Sequence, residues 1–219
     1  MGKLKTKKPW PTQKAMQQIY QEGLWGSNNS KFYSGEGSHD LEIVGSYLTA
    51  VKQFLSSHNN ELEICDLGCG DFNIGSQLLD HTSKYIAADI VPELISFNQQ
   101  KFNNEKLSFI HLDLAKDDIP NADCVIIRQV LQHISNKEIA ALLTKLRQYR
   151  FIVLTEHLPN SNFIPNADII SGQGIRLKKG SGVDLTAAPF DLKFKAKRVL
   201  DCFELKGNKG KIQTLLFEL

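Results

Sequence analysis

Between Glu61 and Gly75 the chain reads Glu-Leu-Glu-Ile-Cys-Asp-Leu-Gly-Cys-Gly-Asp-Phe-Asn-Ile-Gly. Apolar residues at Leu62, Ile64 and Leu67 predict a buried strand, and Asp66-Leu67-Gly68-Cys69-Gly70 then turns toward a helix expected to begin near Asn73. Glycine at such a turn lets backbone lie against a ligand, because no Cβ stands in the way. Asp89 stands nineteen residues past Gly70 and closes a second apolar run, Tyr85-Ile86-Ala87-Ala88. A carboxylate at that point accepts hydrogen bonds from ribose hydroxyls. Turn and acid together indicate a nucleoside-bearing cofactor, which neither indicates alone.

Acid–base chemistry has two candidates, His133 near the end of the fourth predicted strand and His157 just beyond the fifth. A neutral imidazole is suited to taking a proton near pH 7. For either, the plainer alternative is a helix-end or loop hydrogen bond. His39, His58, His81 and His111 read as structural or exposed. Arg128 follows strand four, where a charge in a cleft is costly without an anionic partner. It is expected to face the cofactor or an acidic substrate, the alternative being an ion pair with a neighbouring acid. Asp113, after strand three, either accepts from a ligand amino group or caps the turn that follows it.

These residues need elements to hold them. Thr12 is read as the cap of a helix with Ala15, Met16, Ile19 and Tyr20 on one face, and Ser38 as the cap of a second helix striped by Leu41, Val44, Leu48, Val51 and Leu55. Leu24 to Ser38, rich in aromatics and small polar residues, follows neither period and is expected to be a loop that either folds over a ligand or simply crosses the surface. After the glycine turn, Ile74, Leu78 and Leu79 suggest a short helix, Tyr85 to Asp89 strand two, and Pro92 the first position of the next helix. Strands three to five are expected at Lys106 to Leu112, Ala122 to Ile127 and Phe151 to Leu154. Between the last two, Ser135 and Glu138 form a capping box, with Ile134 and Ile139 as its hydrophobic staple. Residues 157–197 carry several prolines and glycines and no helical stripe, so they either bind something or are disordered. Val199 to Leu205 and Ile212 to Leu219 flank Gly207-Asn208-Lys209-Gly210 as a terminal hairpin.

Strands alternating with helices give an α/β fold, a Rossmann-like doubly wound sheet, mostly parallel with a terminal antiparallel hairpin strand. With 219 residues, 42% of them hydrophobic, one domain is expected. Residues 1–37 would form a lid on it, and 38–219 the cofactor-binding body with a substrate-side loop at 157–197. A net charge of +2 argues against a general polyanion binder, and the lysines at Lys3, Lys5, Lys7 and Lys8 and at Lys193, Lys195 and Lys197 read as solvated faces. Cys65, Cys69, Cys124 and Cys202 include no Cys-x-x-Cys pair, so neither a zinc site nor a disulfide framework is expected. No apolar segment follows the basic N-terminus, which leaves a soluble, cytoplasmic protein as the expectation. Met1-Gly2 with Thr6 fits a permissive myristoylation pattern and is set aside.

The strand order and these motifs resemble the class I S-adenosylmethionine-dependent methyltransferases over residues 40 to 219. Trp25-Gly26, Ser34-Gly35-Glu36-Gly37-Ser38, Cys69-Gly70-Asp71-Phe72-Asn73 and Ala188-Pro189-Phe190 are similar to a little-characterised bacterial group within that superfamily. The resemblance implies S-adenosyl-L-methionine as cofactor, held by Asp66, Gly68, Cys69 and Gly70, by Phe72 and Asn73, by Asp89 and Ile90, and by Asp113 and Leu114. It adds Arg128 and Gln129 after strand four, and Trp25 and Ser34 from the loop. It also implies a final antiparallel strand inserted between strands five and six. Phe72 departs from the pattern, standing where many members have a third glycine.

The expected reaction is O-methylation of a small molecule or carbohydrate, with His133 or His157 as base and no metal. Arg128 to Val130 lacks the Asn/Asp-Pro-Pro-aromatic signature of enzymes that methylate amino groups on bases, which argues against that class of nucleic-acid enzyme. Two rivals are a non-catalytic module that only binds the cofactor and a dinucleotide oxidoreductase. The second fits poorly, because a pyrophosphate needs free amides where Asp71 and Phe72 put an anion and a ring.

Overall fold

The structure, a computed structural model, describes residues 9–27 and 30–219. The N-terminal lysine cluster and the Met1-Gly2 pattern lie outside the described residues. Seven strands form one sheet in the order β3-β2-β1-β4-β5-β7-β6. They are β1 (Glu63–Leu67), β2 (Lys84–Asp89), β3 (Leu107–His111), β4 (Cys124–Arg128), β5 (Phe151–Leu158), β6 (Ala196–Glu204) and β7 (Lys211–Glu218). The first five run parallel, and β7 enters antiparallel between β5 and β6. The expected doubly wound sheet with its inserted hairpin strand is therefore the architecture observed.

Helices cover both faces because the central strands are apolar on both. Ile64, Cys65, Leu67 and all of β4 are buried. One face carries α2 (Leu41–Ser56), whose Val44, Tyr47, Leu48, Val51 and Leu55 pack with Ile64 and Ile126. The other carries α3 (Pro92–Lys101) and α4 (Asn136–Leu146), with Leu94, Ile139, Leu142 and Leu146 against Cys65 and Val125. Met16 and Ile19 of α1 (Thr12–Gln21) join this second core, so the N-terminal helix packs on the body. The Ser135–Glu138 capping box is present as expected.

Two caps fall elsewhere than expected. α2 is capped by Asp40, whose Oδ1 accepts from the backbone of Glu42 at 2.9 Å and Ile43 at 3.1 Å. Ser38 is taken instead by Arg128, which donates to its Oγ at 3.2 Å. Pro11 precedes α1, and the Thr12 hydroxyl donates to Glu138 rather than to its own helix. Distant charged side chains outcompete local backbone for these hydroxyls.

The helix expected near Asn73 is absent. Two short 3₁₀ turns, Gly75–Gln77 and Leu79–His81, replace it. Phe72 is the reason. Its backbone sits at φ +60°, and its ring turns inward between Tyr85, Phe102 and Phe109, with centroids 5.5, 5.1 and 4.9 Å away. Gly75 then lies directly on that ring, where a Cβ would come within 2.3 Å of Phe72 Cε2. The left-handed turn and this aromatic cluster redirect the chain before a helix can nucleate.

The stretch 157–197 is packed rather than disordered. Asn166, at φ +60°, donates from Nδ2 to the carbonyls of Asp184 (2.8 Å) and Ala188 (3.0 Å) and accepts from Asp184 N at 2.9 Å. Val183 and Leu185 are buried in the α3/α4 core. We expect Phe72→Ala to cost about 3–5 kcal/mol of unfolding free energy in urea titrations, the range for emptying a packed aromatic site. A loss below about 1 kcal/mol would contradict this packing.

Candidate active site

At the carboxyl ends of β1, β2 and β4 the chain encloses a cavity of about 580 Å³, a size typical of small-molecule sites. Its floor is the glycine turn. Gly68 and Cys69 donate their N–H groups to Ala88 O, at 2.8 and 3.0 Å, which ties the turn to the end of β2. Gly68 and Gly70 both have positive φ, and a Cβ on either would lie 2.4 Å from Val130 Cγ2 or Ser34 Oγ respectively. Only glycine fits both places.

Asp89 sits beside the turn. Its Oδ2 accepts from Gly70 N at 3.1 Å and its Oδ1 from Val91 N at 3.0 Å, leaving lone pairs on both oxygens for a diol. Asp66 accepts from Tyr85 Oη at 2.9 Å. Burial pushes Asp66 up to about 7 and Asp89 up to about 6. Neither forms an ion pair among the described residues. A cationic ligand would relieve both.

Asp66, Gly68, Cys69, Gly70, Asp89 and Ile90 line this cavity, as do Asp113 and Leu114. Arg128, Gln129 and His133 reach it from the β4 side, and Trp25 and Ser34 from the N-terminal loop. The three motif segments thus open on one space. Asp113 is also locally engaged, its Oδ1 capping Ala115 N at 3.0 Å and its Oδ2 2.6 Å from Lys116 Nζ. The turn-capping alternative accounts for much of its carboxylate.

Three expected site residues are not at the cavity wall. Phe72 lies behind the turn in the aromatic cluster, and Asn73 donates from Nδ2 to Ser38 O at 2.7 Å, so both support the site from outside. His157 is turned toward the terminal hairpin, its Nε2 2.7 Å from Lys209 O, because β5 continues through Leu158 and carries the ring along the sheet. Arg128 meets no acid at ion-pairing distance among the described residues. It packs over the Tyr47 ring at 4.7 Å and donates to Gly37 O at 2.6 Å as well as to Ser38, clamping the loop onto β4.

His133 ends the turn Leu131–His133 and lies 4.9 Å from the Trp25 ring, centroid to centroid. Burial lowers its pKa to about 4, the nearby backbone of residues 172–174 acting in the opposite direction and Arg176 adding to the decrease. It is neutral at physiological pH and a weak base.

Other residues hold the site together without having signalled it in the sequence. Ser34 and Asp71 exchange bonds, Ser34 N to Asp71 Oδ2 at 3.0 Å and Asp71 N to Ser34 Oγ at 2.8 Å, and His39 Nε2 lies 2.6 Å from the same carboxylate oxygen. The N-terminal loop is thereby latched to the glycine turn. Asn98, wholly buried on α3, donates to Gly70 O at 2.8 Å. Its signal was available as a polar residue on the helix face that Leu94 and Ile95 bury. Glu138 gathers the hydroxyls of Thr12, Ser135 and Ser171, and these outweigh burial to hold its carboxyl below the usual range. Arg176, buried in the long loop, donates to the carbonyls of Leu131 and Ile134, both at 2.8 Å.

A family model described as a methyltransferase domain matches residues 65–149, the span from β1 through α4. Over that span the chain is similar to methyltransferase domains. Uncharacterized methyltransferases of Mycobacterium bovis and Mycobacterium tuberculosis are 29% identical to it over 79 residues, 35% of this chain. The match spans only 40% of the length of those curated relatives. Among solved structures, the magnesium protoporphyrin IX methyltransferase of Synechocystis PCC 6803 with bound S-adenosylmethionine superposes with a TM-score of 0.59 at 16% identity. It covers 98% of this chain and 100% of its own. The N-methyltransferase NodS of Bradyrhizobium japonicum with S-adenosylhomocysteine gives 0.62 at 11% identity, covering 93% and 98%.

These two neighbours were solved with S-adenosylmethionine and S-adenosylhomocysteine bound, and the residues present here suit that cofactor. The glycine cradle excludes side chains, Asp89 retains acceptors for a ribose diol, and two buried acids form no ion pair among the described residues. Both acids hold a proton below their raised pKa values and are charged above them. Affinity for S-adenosylmethionine is therefore expected to climb about tenfold or more between pH 5.5 and pH 8 with proton release, in calorimetry run in buffers of different ionisation enthalpy. A flat profile would show that neither carboxyl meets the cation.

Proposed function

We propose that the protein is a methyltransferase that carries the methyl of S-adenosylmethionine to an oxygen of a small molecule or sugar. One observation carries this reading: the glycine turn, Asp89 and Asp113–Leu114 line a single cavity that also contains a neutral histidine. Bound there, the cofactor would supply a methyl on a sulfonium, a leaving group that needs no acid. The protein's work is then to bind, orient and exclude water.

In this reading Asp89 holds the ribose hydroxyls, Asp66 faces the cationic amino-acid tail, and Asp113–Leu114 border the adenine. The loop around Ser34 would serve as a lid, held over the turn by the latch between Ser34 and Asp71. His133 works on the acceptor side. His157 is left out, because its ring is spent on the hairpin. The oxidoreductase alternative is weakened by the missing helix after the turn, since a pyrophosphate would find no run of helix-end amides. Among the described residues no three or more His, Cys, Asp or Glu side chains group as metal ligands, and no helix is long and apolar enough to cross a membrane.

Asp89→Ala should reduce S-adenosylmethionine binding beyond calorimetric detection, whereas unchanged affinity would remove the central assignment. His133→Ala should lower turnover about 100-fold, the scale of losing one donor to the reacting group, with donor affinity nearly intact. Full activity of that variant would eliminate His133 from the reaction.

A further inference from the structure

The hydrogen-bond network around His133 fixes its tautomer. The backbone N–H of His157 donates to Gln132 Oε1 at 3.1 Å, which makes the other end of that amide the NH₂. Gln132 Nε2 lies 3.2 Å from His133 Nε2. That imidazole nitrogen must accept, so the proton of the neutral ring resides on Nδ1. Among the described residues Nδ1 is buried with no hydrogen-bond partner, although the backbone of residues 172–174 lies near the ring, and Trp25 Nε1 likewise has none. Both rings line the cavity, 4.9 Å apart. Two buried N–H donors without acceptors each carry a penalty that a ligand oxygen would remove.

The charges around the pair favour an anion. Arg176 brackets the His133 turn through Leu131 O and Ile134 O, and no acid ion-pairs with it among the described residues. Glu156, the buried acid closest in sequence to this end of β5, accepts from Leu131 N at 3.1 Å, and burial pushes it up to about 8, so it stays protonated at neutral pH. Lys178 also lines the cavity. Of the other acids here, Glu138 is engaged by three hydroxyls and Asp168 by Asn136 N at 2.8 Å, while Glu36 lines the cavity from the N-terminal loop.

We propose that Trp25 Nε1–H and His133 Nδ1–H together anchor an ionised oxygen of the methyl acceptor, a carboxylate or an acidic phenolate. This rests on the methyltransferase reading and names its substrate class. A lone pair of the anionic oxygen forms the new O–C bond while the S–C bond breaks with its electron pair left on sulfur. No proton is released, so no base is needed. His133 then serves as a donor that orients the nucleophile.

The test begins with S-adenosylhomocysteine calorimetry on the full chain. Failure to bind sinks the methyltransferase reading and this inference with it. With it bound, long-range proton–nitrogen NMR should show His133 protonated on Nδ1, and an Nε2–H signal would overturn the inference alone. The chain has two tryptophans, so Trp10→Phe assigns their indole signals. Benzoate and 4-nitrophenolate, added to the S-adenosylhomocysteine complex, should move the Trp25 N–H signal downfield, and benzylamine should not. Whichever of the two anions binds more tightly distinguishes a carboxylate from a phenolate site. No shift with either anion, or an equal shift with the amine, would refute the proposal. Trp25→Phe, which keeps the ring and removes the donor, should weaken the better anion about tenfold and leave S-adenosylhomocysteine affinity unchanged. An equal loss for both ligands would assign Trp25 to the cofactor instead.

Discussion

Two carboxyls, Asp66 and Asp89, are buried at the ends of adjacent parallel strands with no ion-pair partner among the described residues. Removing such groups from water costs several kcal/mol each when they are charged, and the hydrogen bonds they accept offset part of that cost. Tyr85 serves Asp66, and the turn's own amide at Gly70 serves Asp89. The turn therefore cannot move without exposing Asp89, and Asn98 and Asp71 fasten it from the α3 and lid sides. Much of the remaining polar architecture of the cavity follows from keeping these acids buried, accessible to one ligand and closed to bulk water.

The sheet and the motif segments were legible in the sequence because both write themselves in short, local patterns. Doubly buried strands appear as apolar runs such as Tyr85 to Ala88, and the glycine turn and Asp89 stand at the ends of such runs. The Ser135–Glu138 box was legible for the same reason, since its partners are three residues apart. Caps at Thr12 and Ser38 were misread because their hydroxyls bond to Glu138 and Arg128, which are distant in the chain. A local rule has no access to a competitor that arrives by folding.

Phe72 and the 157–197 stretch illustrate a second limit. In sequence Phe72 looks like a bulky intrusion into a cofactor loop. In the fold its positive φ sends the ring away from the cavity, which converts the intrusion into an anchor. The long stretch looked unstructured because its order comes from side chains bonding to carbonyls, as Asn166 and Arg176 do. Such bonds have no periodicity. His157 failed for a simpler reason: a strand four residues longer than its apolar run carried the ring past the cavity's edge.

The two covers over the cavity are held by different physics. The segment from Tyr33 to His39 is fastened by polar contacts to Asp71 and Arg128, each net worth about 1–3 kcal/mol because water competes for the same groups. The long stretch buries Val183, Leu185 and the Arg176 guanidinium, and lifting it would expose apolar surface and strand a charge-assisted network together. The N-terminal loop is thus the cheaper of the two to open, and its latch sits on the residue that follows the glycine turn. The loop and the floor of the cavity therefore share one residue, Asp71, through its bonds to Ser34 and His39.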